Sequence, residues 1–329
     1  MKQILNYLFE NKAFSKEEAR EILTNISIGK YNNSQITAFM TAYCMRNITV
    51  NELEGFRDAM LDLCLPVDMG GAEMIDLCGT GGDGKDTFNI STLASFIVAG
   101  AGYKVAKHGN YGVSSGCGSS NVMEYLGYSF TNDIDTLKRN ADTANICFLH
   151  APLFHPAMKT VAPIRRELGV KTFFNMLGPM VNPARPKNQL VGVYNLELAR
   201  MYAYLYQRSD RKYTILNALD GYDEVSLTCD FKTFSSEGEK IYSPESLGFT
   251  RLNPTEIAGG SDVPESAAIF SKVLKGEGTG AQNNVVLVNA ALAIKTIKPL
   301  SSFGDCFYEA EESLMQSKAL KSFKLLLGN

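Results

Sequence analysis

The chain has 329 residues, 45% of them hydrophobic, with 20% charged residues and a formal net charge of -3. That length supports a large α/β core with a smaller companion domain, and the balanced charge excludes a polycationic face by count, so a small-molecule ligand is favoured over nucleic acid. The seven cysteines lie scattered without a C-x-x-C pair, which fits a reducing compartment better than a disulfide framework.

From Met1 to about Cys64 the apolar residues recur at helical spacing: Ile4, Leu5, Leu8 and Phe9, then Ala19, Ile22, Leu23 and Ile26, then Ile36, Phe39, Met40 and Tyr43. Ser15-x-x-Glu18 and Thr49-x-x-Glu52 predict capping boxes. Glu10, Lys12, Glu17 and Glu18 make the start too polar for a secretory signal, and no apolar run reaches the roughly 18 residues that span a bilayer. The expected location is the cytoplasm, with no membrane partner. Leu65-Pro66-Val67-Asp68-Met69-Gly70-Gly71 then breaks the helical pattern.

Beyond this linker, short apolar runs alternate with helical stretches: Met74 to Cys78, Tyr103 to Ala106, Leu190 to Val193 and Tyr213 to Leu216 read as strands. The clearest unit runs from Leu190 through a helix at about Leu196 to Arg208, a second strand, and the acidic loop Asp220-Gly221-Tyr222-Asp223-Glu224. A right-handed crossover puts that loop at the carboxyl end of a parallel strand, where open α/β sheets bind ligands. A segment rich in Pro and basic residues between Pro152 and Pro186, with a short helix near Thr160 to Leu168, reads as a lid or a contribution to the helical domain. The expected fold class is α/β: a large domain with a mostly parallel central sheet flanked by helices, plus a small all-helical N-terminal domain. The expected boundaries are 1–67 for the helical domain, with a contribution from about 160–185, and 68–329 for the α/β domain.

Two glycine-rich loops, Gly79-Thr80-Gly81-Gly82-Asp83-Gly84 and Lys107-His108-Gly109-Asn110, each follow an expected strand. The first leads into Thr87-Phe88-Asn89-Ile90-Ser91-Thr92, a helix start whose backbone N–H groups would suit phosphate. It lacks the Gly-Lys-Ser/Thr of a Walker loop and fits the dinucleotide spacing poorly. In the second, Lys107 offers a mobile ammonium, His108 and Asn110 offer directional hydrogen bonds, and Ser114, Ser115 and Ser119 open another helix. Asp223-Glu224 near such loops suits Mg²⁺, with Ser91 as a possible hydroxyl ligand. Each feature has a plainer reading: a tight turn, a solvated strand end, an exposed acidic dipeptide. Their coincidence favours a polyanion site. Arg165 and Arg166 flank a Pro-bounded helix where one guanidinium suits a carboxylate and the other suits solvent, and Thr172 to Pro179 supplies apolar walls or buried packing. His108, His150 and His155 form no H-x-x-x-H pair and have no Cys at ligand spacing, which argues against zinc.

These motifs, with His155-Pro156-Ala157-Met158 and Phe174-Asn175-Met176-Leu177-Gly178-Pro179, form an ordered set over nearly the whole chain that resembles the anthranilate phosphoribosyltransferase family of tryptophan biosynthesis. The resemblance implies a phosphoribosyl diphosphate site at Gly79, Gly82, Asp83, Thr87, Asn89, Ile90, Ser91, Thr92, Lys107, His108, Gly109, Asn110, Ser114, Ser115 and Ser119, with Lys107 and His108 in catalytic roles. It implies Mg²⁺ at Ser91, Asp223 and Glu224, anthranilate near Gly79, His108, Asn110, Arg165 and Pro179, and a homodimer through the helical domain. The chain departs from the commoner pattern at Tyr111, where an Arg is usual, at Asn121 in place of Asp, and at Asn217-Ala218 in place of His-Gly. The competing readings are a pyrimidine nucleoside phosphorylase of the same architecture, against which the acidic pair argues, and a non-catalytic nucleic-acid-binding member of the fold, against which the charge argues.

Overall fold

Ser15 and Thr49 cap their helices as their spacing predicts in the computed structural model, which describes residues 1–112 and 116–328. Ser15 Oγ accepts the Glu18 N–H at 3.2 Å and the Glu18 carboxylate accepts the Ser15 N–H at 2.8 Å. Thr49 and Glu52 repeat the exchange at 3.3 and 2.9 Å. Such a cap satisfies two backbone donors that the helix itself leaves unpaired.

In chain order the elements begin with α1 (Lys2–Phe9), α2 (Lys16–Ser27), α3 (Asn33–Met45), α4 (Val50–Asp62), β1 (Met74–Gly79), α5 (Ile90–Gly100), β2 (Lys104–Gly109), α6 (Ser119–Tyr125), α7 (Ile134–Thr143) and β3 (Ile146–His150). They continue with α8 (Ala151–Phe154), α9 (Met158–Leu168), α10 (Phe174–Leu177), β4 (Asn188–Gly192), α11 (Leu196–Tyr206), β5 (Lys212–Ala218), β6 (Phe231–Ser235), β7 (Gly238–Tyr242), α12 (Val263–Leu274), α13 (Gly280–Ile297), α14 (Phe303–Met315) and α15 (Lys318–Leu326). The chain forms two compact units, Met1–Val67 with Ala151–Arg185, and Asp68–His150 with Pro186–Asn329.

The first unit is helical. Phe39, Tyr43, Phe56 and Phe173 fill its centre, with the Phe56 and Phe173 rings stacked at 4.6 Å and Phe39 edge-on to Phe56 at 6.1 Å. Beside them Glu52 is fully buried. Its carboxylate accepts from the Arg46 guanidinium, from Tyr43 Oη at 2.9 Å, from the Phe14 N–H at 3.1 Å and from Thr49 Oγ1 at 2.9 Å. Burial alone would raise the pKa of this acid, yet the bonds from Arg46, Thr49 and Phe14 hold it below its ordinary value.

The second unit is built on a seven-stranded sheet in the order β3-β2-β1-β4-β5-β6-β7. Strands β1 to β5 pair in parallel, and β6 and β7 extend the edge antiparallel. The expected mostly parallel sheet is therefore present. Ile75 and Leu77 on β1 and Val105 on β2 pack into one apolar core with Phe96 of α5 and Val286 and Ala290 of α13, all buried. Each large aliphatic or aromatic side chain so buried contributes about 1.5–3 kcal/mol. α13 is buried nearly all round, as befits a helix covered on every side. The chain runs outward from β1 through β2 to β3, then returns to place β4 on the other side of β1. That reversal makes the carboxyl ends of β1 and β4 the switch point, where doubly wound sheets leave a crevice.

Candidate active site

At the end of β1 the chain can turn as it does because Gly81, Gly82 and Gly84 adopt left-handed backbone angles, with φ of 63°, 72° and 73°. The loop from β5 lies against this turn. Asp223 Oδ2 accepts the Gly81 N–H at 2.6 Å, and the glycines ending β1 and β4 make room for it. A Cβ on Gly79 would stand 2.2 Å from Asp223 Oδ2, and one on Gly192 would stand 1.4 Å from the Asp223 carbonyl oxygen. Glu224 accepts the Ser91 N–H at 2.9 Å and Thr87 Oγ1 at 3.3 Å. From behind, Asn289 of α13 clamps the next residue, accepting the Val225 N–H at 3.1 Å and donating to its carbonyl at 2.9 Å.

These acids lack the partners that Glu52 has. Burial, with repulsion from Glu224 and Asp83, pushes Asp223 well above the usual carboxylate range. Burial likewise raises Glu224 to about 7, against the lowering effect of the Ser91 amide. Among the described residues no group of three or more His, Cys, Asp and Glu side chains is arranged to hold a metal ion. What remains is two hard carboxylates beside the Ser91 hydroxyl, a donor set that fits a small divalent cation completing its shell with substrate oxygens and water.

Lys107, expected to present a mobile ammonium, is instead buried. Its Nζ donates to the Leu77 carbonyl and, at 3.2 Å, to Ser91 Oγ. Burial lowers its pKa, and Asp76 leads the negative groups that push it back up. The first turn of α5 also differs from the expected row of free donors, because the Ser91 N–H is taken by Glu224 and the Ile90 N–H by the Phe88 carbonyl at 2.6 Å. The Ile90 side chain lies in the apolar core and Thr92 is buried, so neither presents its side chain as the small polar residues were expected to.

The start of α5 is tied to the segment that precedes α6, since Asn89 Nδ2 donates to the Cys117 carbonyl at 3.0 Å. Where β2 ends, the Asn110 carbonyl accepts the Ser120 N–H at 3.1 Å and Ser119 Oγ at 3.3 Å, starting α6. Asn110 Oδ1 accepts the Tyr111 N–H at 2.8 Å. Asn121, one of the departures from the family pattern, accepts the N–H groups of Gly112 and Gly118 at 2.9 and 3.0 Å, so an amide oxygen suffices to close this loop. Another departure, Asn217, donates to the Val193 carbonyl at 2.7 Å. Tyr111 packs edge-on to His150 at 4.8 Å, and His150 is held by Ser120 Oγ at 2.8 Å. Ser114 and Ser115 lie outside the described residues.

Arg165 and Pro179 belong to the helical unit. On α9 the Arg165 guanidinium donates to Asn175 Oδ1 at 3.2 Å and lies 5.4 Å from the Phe174 ring centre. Burial pushes its pKa below the ordinary value, and among the described residues it has no carboxylate partner. Pro179 is buried in the single turn Gly178–Met180. His155 is buried too, which lowers its pKa to about 4.

The motif reading overlooked Asp76 and Asn289. Both carried a signal, as each is a lone polar residue within an apolar run, Met74 to Cys78 and Val285 to Leu292. Such a residue in a buried element must be hydrogen-bonded to something specific.

Two families match the chain: "Glycosyl transferase family, a/b domain" over residues 71–320 and "Glycosyl transferase family, helical bundle domain" over residues 2–64. The anthranilate phosphoribosyltransferase of Christiangramia forsetii is 61% identical over 326 residues, covering 99% of this chain and 98% of that protein. That of Cytophaga hutchinsonii is 52% identical over 324 residues, covering 98% and 99%. Among solved structures, anthranilate phosphoribosyltransferase from Thermus thermophilus matches with a TM-score of 0.91 at 29% identity, covering 99% of this chain and 98% of that one. The Saccharomyces cerevisiae enzyme in complex with phosphoribosyl diphosphate and Mg matches with a TM-score of 0.90 at 26% identity, covering 99% and 97%.

Proposed function

The chain belongs to the anthranilate phosphoribosyltransferase family, and on that premise we propose that it transfers the phosphoribosyl group of 5-phosphoribosyl 1-diphosphate to the amine of anthranilate, releasing pyrophosphate, in tryptophan biosynthesis. The observation that carries this reading is the acid pair of buried Asp223 and partly buried Glu224, bonded to both the turn after β1 and the first turn of α5 at the switch point. In the reaction the bond from ribose C1 to the diphosphate oxygen breaks, the bond from C1 to the anthranilate nitrogen forms, and the amine gives up a proton. Positive charge develops on the sugar and negative charge on the leaving group.

Mg²⁺ held by Ser91, Asp223 and Glu224 would neutralise the diphosphate as it departs. Around it, the residues of the two loops, from Gly79, Gly82, Asp83, Thr87 and Asn89 to Lys107, Gly109, Asn110 and Ser119, hold the phosphates. They do so as preset dipoles and charges, which need no rearrangement as charge develops. Thr92 takes part through its backbone alone, and Ile90, whose side chain lies in the core and whose N–H is taken by the Phe88 carbonyl, only places its neighbours. The Lys107 ammonium, bonded to Ser91 Oγ at 3.2 Å, fixes the hydroxyl ligand and adds positive potential. Arg165 would receive the anthranilate carboxylate, a reading supported by a half-buried guanidinium whose described partners include no acid; the family resemblance also assigns Asn110, His108, Gly79 and Pro179 to anthranilate. An aromatic amine attacks in its neutral form, so no strong base is required, and His108 serves at most as a proton acceptor after the bond has formed.

The protein acts as a homodimer in the cytoplasm. The apolar residues Met45, Ile28 and Phe9, 83%, 66% and 63% exposed on the helical unit, support the first statement. The free thiols support the second. No described helix is long and apolar enough to cross a membrane. A fluorescence assay of anthranilate consumption tests the whole reading: loss of signal must require both phosphoribosyl diphosphate and Mg²⁺. Persistent signal with both present, together with phosphate-dependent release of base from uridine or thymidine, would favour a nucleoside phosphorylase instead.

A further inference from the structure

β1 and β2 pair in register only at Met74 with Lys104 and Ile75 with Val105. Val105 sends its N–H to Asn145, away from β1, so by the alternation of a parallel ladder the His108 N–H points toward β1 and would next reach the Leu77 carbonyl. The register between the two strands ends before that rung. The Asp76 carboxylate accepts the His108 N–H at 3.2 Å, and the Leu77 carbonyl receives the Lys107 ammonium instead. Two side chains have replaced one backbone rung, directly beneath the two glycine-rich loops.

The carboxylate is itself held. Tyr206 Oη donates to Gln189 Oε1 at 2.5 Å, and Gln189 Nε2 donates to the second Asp76 oxygen at 3.4 Å. Asp76, Gln189 and Tyr206 are all buried. A buried carboxylate in the middle of a sheet costs several kcal/mol in lost hydration, and an aliphatic residue there would satisfy the sheet without it. The acid offsets part of the buried Lys107 charge, and it also holds the strand end whose next residues are Gly109 and Asn110.

We propose that Asp76 is a positioning residue, which props the carboxyl end of β2 off β1 through the His108 amide and so sets where Lys107 and Asn110 stand relative to the first loop. The inference rests on the phosphoribosyl-transfer reading for its consequence but not for its geometry. Without an acceptor at position 76, the His108 N–H and the Lys107 ammonium compete for the single Leu77 carbonyl, and the loop that follows shifts.

The test compares the full-length wild type with Asp76→Leu, which removes the acceptor, and Asp76→Asn, which keeps an oxygen for His108. Displacements of about 1 Å in a reacting site cost on the order of 100-fold in rate, so Asp76→Leu should lower kcat by about 100-fold and Asp76→Asn by about tenfold, with KM for anthranilate changed less than about threefold. Amide hydrogen exchange at His108 should quicken in Asp76→Leu and stay slow in Asp76→Asn. A folded Asp76→Leu with kcat within about twofold of wild type, an Asp76→Asn as impaired as Asp76→Leu, or unchanged His108 exchange in Asp76→Leu overturns the proposal. Should Asp76→Leu fail to fold, Asp76→Ala, which removes the acceptor without adding bulk, decides by the same readouts: a kcat loss of about 100-fold with quickened His108 exchange supports it, and a folded variant with kcat within about twofold of wild type overturns it. Absence of wild-type turnover would defeat the transferase reading, while the exchange at His108 would still decide what Asp76 holds.

Discussion

Glu52 in the helical unit and Asp223 in the α/β unit are buried acids, the latter beside partly buried Glu224, and their surroundings differ in sign. Around Glu52 stand an arginine, a tyrosine hydroxyl, a threonine hydroxyl and two backbone N–H groups. The paired acids face each other and Asp83, with the Lys107 ammonium acting on Glu224 without a hydrogen bond to it, and their donors, a few backbone N–H groups and a threonine hydroxyl, bring no full charge. A carboxylate compensated within the fold has finished its work when the chain has folded. One left short of positive charge at a crevice still needs a cation or a ligand, and that difference separates a structural ion pair from a site.

The comparison is sharpest where a partner is removed. Arg46→Ala strands the Glu52 charge among aromatic rings, which should destabilise the fold by about 3–5 kcal/mol; urea denaturation reads this loss, and a change under about 1 kcal/mol would show that Glu52 is not compensated by Arg46. At the other acid the sign reverses. Asp223→Asn keeps an acceptor for the Gly81 N–H and removes one of two repelling charges, so Tm without metal should hold or rise while turnover falls about 100-fold. A Mg²⁺ titration restoring full activity to that variant would remove Asp223 from the metal site.

Arg165→Ala probes a half-buried cation that has no carboxylate among its described partners. A charge-assisted hydrogen bond is worth about 1.5–3 kcal/mol, so KM for anthranilate should rise at least about tenfold with KM for phosphoribosyl diphosphate little changed. Equal losses for both substrates would refute carboxylate recognition by Arg165.

The smallest effect concerns pH. Glu224, whose pKa rises from an ordinary 4.5 to about 7 on folding, binds its proton more tightly in the folded state, so the metal-free protein should lose stability as pH rises between those values. Glu52, depressed on folding, works the other way: its contribution is present above the ordinary carboxylate pKa and lost as pH falls below it. Calorimetry with and without Mg²⁺ should therefore show a metal-induced rise in Tm that is larger at pH 8 than at pH 5. A rise independent of pH would mean that the cation binds elsewhere.

Much of the architecture is legible along the chain. Ser15 and Thr49 announce their helices through a residue three positions on, the apolar runs of β1, β2, β4 and β5 are short and bounded, and the Leu190 to Glu224 unit shows its strand, helix and strand in order. Other features have no local signature. Nothing near Lys107 indicates that its ammonium turns inward to the Leu77 carbonyl, nor does anything near Ser91 indicate that its N–H is spoken for by Glu224. Those bonds join residues far apart in the chain, and the strand order alone decides which of them meet.

Caps, turns and periodicities depend on neighbours a few residues away, so the order of residues by itself determined the helices, the main strands and the presence of two glycine-rich loops. Whether a given acid is a structural anchor like Glu52, the strut proposed for Asp76 or half of the proposed cation site depends on the folded chain. The energy of a buried charge is set by what surrounds it in space, and for Glu52, Asp76 and Asp223 those surroundings include distant segments brought in by the packing of helices and by the sheet.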